Sequence, residues 1–190
     1  MREEFGETGI WGTSGERPTD AFAHVGALTE TLHHENDVIS NHALAVYTLT
    51  AADGDESPVR RYQCWLWSGY DVTDSPDDLT GISIALDARS SAVAIGVYAP
   101  WDAVAADDAT HYELSLAQGI GEHSLSASVP LRDGSVVVDE EATTVGPEGS
   151  VRTRWSGTEA ERYALWLTCE GRWAARGSNA LEWTVTGTFS

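Results

Sequence analysis

An all-β fold, with two antiparallel sheets packed as a jelly-roll-like β-sandwich, is what three observations in this sequence predict. First, from residue 43 onward about ten short segments alternate with period two, the spacing that puts successive side chains on opposite faces of a strand. Second, turn-forming groups separate these segments: Asp53-Gly54, Asp74-Ser75-Pro76, Asp133-Gly134, Gly146-Pro147 and Gly177-Ser178. Third, two distant stretches echo one another, Arg61-Tyr62-Gln63-Cys64-Trp65-Leu66-Trp67 and Arg162-Tyr163-Ala164-Leu165-Trp166-Leu167-Thr168-Cys169. Each is apolar on both faces, as strands covered on both sides must be, so the two are expected at the centre of the fold.

In chain order, residues 1–20 carry Gly6, Gly9, Gly12, Gly15 and Pro18 around the apolar Phe5, Ile10 and Trp11. That composition predicts an extended N-terminal arm whose three apolar side chains are interaction residues, followed by a single domain over 21–190. Between residues 20 and 35, Phe22, Val25, Leu28 and Leu32 recur at helical spacing after Thr19 and Asp20, which predicts one short helix. Thr29, Thr31 and Gly26 argue for a strand pair instead. Asp133-Gly134, between Val129–Leu131 and Val136–Val138, is the strongest hairpin signal. Leu181, Trp183, Val185 and Phe189 alternate with Glu182, Thr184, Thr186 and Thr188, so the last segment turns its apolar residues inward.

The charge bounds the environment. Thirty acidic residues against eleven basic ones give a net charge of −19, and every basic residue is Arg. Such a surface repels itself at low salt. At about 1 M salt the Debye length falls to roughly 3 Å and the repulsion is screened. A halophilic, haloarchaeal setting is therefore expected. Nucleic-acid binding, which needs cations facing phosphates, is not, nor is attachment to an anionic membrane. The start Met1-Arg2-Glu3-Glu4-Phe5-Gly6 lacks the apolar core of a signal peptide, so cytoplasmic synthesis is expected.

No catalytic motif stands out: the sequence has no G-x-S-x-G, and neither Cys has a His close by in sequence. A non-enzymatic protein without a cofactor is the expectation. Cys64 and Cys169 lie on the Tyr- and Leu-bearing faces of the echoing strands and read as buried free thiols that a sandwich could bring together. The run His33-His34-Glu35-Asn36-Asp37 reads as a solvated polar turn. Asp71, Asp74, Asp77 and Asp78 form the best candidate loop for a Ca, Mg or Na ion, without the EF-hand pattern. Trp101 and Asp102, in the loop Tyr98-Ala99-Pro100-Trp101-Asp102, suit a ligand or a partner protein. The profile leads to a structural protein that contacts other subunits, as a homo-oligomer or within a large assembly such as a virion coat, turret or tail. The alternative is a lectin-like sandwich that binds a glycan through loop Trp and acidic residues.

Overall fold

Period-two alternation becomes strand after strand in the computed structural model, which describes residues 22–49, 59–115, 126–174 and 181–190. In chain order the strands are β1 (Phe22–His33), β2 (Ile39–Leu49), β3 (Val59–Asp71), β4 (Leu79–Ala88), β5 (Val93–Ala99), β6 (Val104–Ala105) and β7 (His111–Ser115). There follow β8 (Ser126–Pro130), β9 (Ser135–Val138), β10 (Gly146–Pro147), β11 (Ser150–Glu159), β12 (Arg162–Ala174) and β13 (Leu181–Phe189). One sheet has six strands in the order β1-β2-β3-β12-β5-β10, and the other five in the order β13-β4-β11-β9-β6. β7 and β8 pair as a separate hairpin. The antiparallel sandwich expected from the sequence is present, and beyond the ten strands that alternation marks the described residues add β1, of twelve residues, and the two-residue β6 and β10.

The echoing stretches are neighbours. β3 and β12 pair antiparallel without a break from Arg162 opposite Asp71 to Ala174 opposite Val59. Leu66 faces Leu167 and Cys64 faces Cys169 along the inner side of this seam. All four side chains are fully buried. Ile82, Ile84 and Leu86 of β4 and Val151 and Trp155 of β11 complete the core from the second sheet. Removing one such side chain, Leu66→Ala for example, leaves a cavity and costs about 2–5 kcal/mol. The inward face of β13 is as expected: Leu181, Trp183, Val185 and Phe189 are half-buried, and the residues between them are exposed.

Two local expectations fail. Residues 22–33 form no helix: β1 is a strand paired with β2 from Phe22 opposite Leu49 to His33 opposite Ile39. A spacing of four residues is even, so Leu28 and Leu32 share a strand face as readily as a helix face. The bulge between His24 and Gly26 shifts the phase that made Val25 look helical. β-branched Thr29 and Thr31 then favour the strand. Asp133-Gly134, in turn, does not close a hairpin, because β8 pairs with β7 while β9 pairs with β11 and β6. Gly134 does take the left-handed conformation, with φ +73°. The turn is held to other elements: Trp155 Nε1 donates to the Asp133 carbonyl at 2.8 Å, and the Thr158 amide donates to its carboxylate at 2.9 Å. The chain thereby crosses from the β7–β8 hairpin into the second sheet.

One close approach sets the spacing at the far end of the seam. Gly171 of β12 sits opposite Tyr62 of β3, whose hydroxyl donates to the Ala94 carbonyl on β5 at 3.1 Å. A Cβ at 171 would lie 2.7 Å from the Tyr62 Oη and would collide with that same carbonyl. Gly171→Ala is therefore expected to lower unfolding free energy by about 3 kcal/mol. Gly26→Ala, where a Cβ would meet nothing within 4 Å, is expected to stay within about 0.5 kcal/mol of the parent. Denaturant titration in multimolar KCl compares the two.

Candidate functional site

The surface that sets this sandwich apart is its first strand. β1 is the outermost strand of the six-stranded sheet, and among the described residues it pairs with β2 alone. Its register places Leu28 opposite Leu44 and Leu32 opposite Ser40, on the side that faces the second sheet. That second sheet stops short of it. Its edge strand β13 packs against β3, and Trp183 reaches only as far as His42 on β2, with ring centroids 6.0 Å apart. Leu28 is left 60% exposed and Leu32 38%, and Val25 at the bulge is 60% exposed. Among the described residues, then, an apolar strand face lies beside a row of edge amides and carbonyls that no strand pairs. Glu30 is the only charged side chain along β1.

A polar row runs inward from this overhang. Glu30 on β1, His42 on β2 and Ser68 on β3 stand in register across the sheet. His42 Nδ1 and Ser68 Oγ are 2.9 Å apart, and the Tyr70 ring meets His42 edge-on at 5.7 Å. One turn outward, His34 Nε2 and Ser40 Oγ are 2.7 Å apart. Burial pushes the His42 pKa below its ordinary value; the Glu30 charge opposes this, and His34 adds to the lowering. A serine, a histidine and a carboxylate in a row are the ingredients of nucleophilic catalysis. Here Ser68 and His42 are 0% and 1% exposed, so this structure gives a substrate no access to the hydroxyl. The His42–Ser68 contact ties β2 to β3, and Glu30 acts on His42 through its charge. No sequence motif marks the row, because it exists only once the register of three strands is known.

The other candidate residues disperse. Asp71 binds Arg162 at 2.8 Å and accepts from the Thr73 amide at 3.1 Å. Burial alone would raise its carboxyl pKa, but the bonds from Thr73 and Arg162 outweigh it and hold the group below its usual value. Asp77 accepts from Asn36 of the β1–β2 turn at 2.8 Å, and the Asp78 backbone exchanges two hydrogen bonds with Ser190. Asp74 is exposed and joins neither. The four aspartates therefore do not converge. Among the described residues no three His, Cys, Asp or Glu side chains are placed to hold a metal ion. Residues 33–37 form the expected polar turn, with Asn36 and Asp37 at φ 59° and 60°. Phe5, Ile10 and Trp11 lie outside the described residues.

Two aromatic features remain on the surface. Trp101 is 44% exposed and stacks on Tyr98 at 5.2 Å, with Asp102 exposed beside it. On the outer face of the large sheet, Asn41, Trp67, Gly69, Asp71 and Arg162 line a groove of about 200 Å³. Most other Trp residues belong to packing: Trp65 and Trp155 are buried, and Trp173 meets Tyr62 edge-on at 5.8 Å.

No family model and no curated protein sequence matches this chain. Its fold is similar to that of Clostridium perfringens delta-toxin, with a TM-score of 0.59 over 91% of this chain and 85% of that one. The two share 9% sequence identity. The likeness is one of fold alone.

The buried histidine has a measurable consequence. Because His42 resists protonation when folded, the unfolded chain takes up more protons below its ordinary pKa of 6.5. The stability that His42 contributes is complete above that pH and is lost as the pH falls below it. Chemical denaturation between about pH 7 and pH 5 should show this loss, and His42→Asn should show a smaller one.

Proposed function

We propose that this chain is a non-enzymatic structural protein that joins other protein subunits through the β1 edge in a high-salt medium. The observation that carries the reading is the overhang of β1, with Val25, Leu28 and Leu32 exposed beside an edge that no described strand occupies. Soluble proteins normally protect such an edge with charge, proline or a cover. β1 has no proline and a single carboxylate, in a chain that carries thirty acidic residues. The body repels other copies of itself except where salt screens it, whereas this stripe is nearly neutral. Adding a strand to a free edge is a common way for proteins to join, with backbone bonds giving affinity and alternate side chains giving specificity. A haloarchaeal virion coat, turret or tail is the kind of assembly that we propose it serves, on the strength of the charge and the interaction edge together.

The native mass by light scattering in multimolar KCl tests this reading. The full chain should form a defined oligomer, and Leu28→Glu should weaken association at least tenfold while leaving the melting temperature within a few degrees, since an exposed side chain contributes little to the monomer. A monomeric parent, or an oligomer indifferent to Leu28→Glu, would remove the support. The chain lacking residues 1–20, run alongside, separates an arm-driven oligomer from an edge-driven one.

A second reading, glycan binding, is favoured by Trp101. Its ring is backed by Tyr98 and half open to solvent, the arrangement in which an aromatic face can stack on a sugar. Sugar titration should then quench Trp fluorescence, and Trp101→Ala should abolish the quenching. A response unchanged by Trp101→Ala would end this reading.

A further inference from the structure

The two cysteines meet in the middle of the fold. Cys64 on β3 and Cys169 on β12 are direct register partners. Both are 0% exposed. Burial, and after it the neighbouring Cys169 thiol, pushes the Cys64 thiol well up. Facing residues on antiparallel strands hold their Cα atoms about 4.5 or 5.5 Å apart. Both spacings fall within the roughly 4.4–6.8 Å that a disulfide spans. Neighbouring strands close the position on either side, with Val46 of β2 opposite Cys64 and Tyr98 of β5 opposite Cys169.

We propose that Cys64 and Cys169 form a cross-strand disulfide site, closed when the chain folds in the presence of a disulfide oxidant of the glutathione class. One cysteine thiolate attacks oxidised glutathione, and the first glutathione thiolate leaves as a mixed disulfide forms. The second cysteine thiolate attacks the protein sulfur of that mixed disulfide and releases the second glutathione. Two thiol protons and two electrons pass to the oxidant, which departs as two molecules of reduced glutathione. The closed sandwich gives glutathione no access to either buried sulfur, so the exchange belongs to the folding chain or to an opened seam. The same burial shields the finished bond from reductant. The bond would close a loop of about 100 residues and constrain the unfolded state correspondingly.

The test uses the full chain, unfolded and then refolded in multimolar KCl with either oxidised or reduced glutathione. Intact mass, thiol titration in denaturant and melting temperature are measured on each sample. The oxidised sample should lose two hydrogens and all titratable thiols, and should melt roughly 10 °C higher than the reduced one. That dependence on oxidant should vanish in Cys64→Ala/Cys169→Ala. Non-reducing peptide mapping of the parent locates the bond without any variant. Free thiols or bound glutathione in the oxidised, refolded protein would overturn the proposal. So would a disulfide form that melts below the reduced one, since that outcome means the register does not fit the bond.

Discussion

The antiparallel seam between β3 and β12 is the constraint on which the rest of the structure depends. Thirteen residues of each strand pair without a bulge, and the side chains of both faces are buried for most of that length. A slip of one residue would turn Cys64, Leu66, Leu165 and Leu167 away from the second sheet and point Trp65 and Trp166 toward it. Everything else is hung on this register. β2 and β1 extend the sheet on one side and β5 and β10 on the other, while the second sheet lays β4, β11 and β13 across its inner face.

Unequal sheet widths then create the overhang on which the proposed function rests. Six strands on one side and five on the other cannot cover one another completely, and the deficit falls on β1. A designer of monomers would place charge there. This chain spends its charge elsewhere: its described ion pairs, such as Arg89 with Glu182 and Arg132 with Glu159, lie on the body. Exposed pairs of this kind contribute little in water and less in salt. The acidic surface therefore acts on solubility and association more than on the fold, which rests on the aromatic and aliphatic core.

What the sequence made legible follows the range of the interactions involved. β13 could be foreseen because alternation is local, and β3 and β12 because strands apolar on both faces have only one place to go. β1 was ambiguous because Leu28 and Leu32, four residues apart, satisfy the helix and strand periods equally, and only pairing with β2 decides. Asp133-Gly134 was correctly a turn but assigned the wrong partners, since a bond from Trp155 on another strand directs the chain onward. Asp71 could be counted among acidic neighbours, yet its partner Arg162 comes from a strand ninety-one residues later. The Glu30–His42–Ser68 row was invisible for the same reason: it is a product of register. Trp101 was legible as an exposed loop residue through Pro100, though its stacking on Tyr98 was not.

The seam also has a consequence in time. β1, β2 and β3 are consecutive in sequence and joined to one another, so they can pair as soon as they are made. β12 reaches the ribosomal exit about ninety residues after β3, on the order of 5–20 s at ordinary synthesis rates. Throughout that wait β3 holds an apolar edge and two apolar faces without its main partner. Distant pairing of this sort slows folding and lengthens exposure to wrong contacts. A nascent chain of this design would depend on chaperones, or on the mutual repulsion of its acidic segments, to keep the unfinished sheet from pairing with its neighbours.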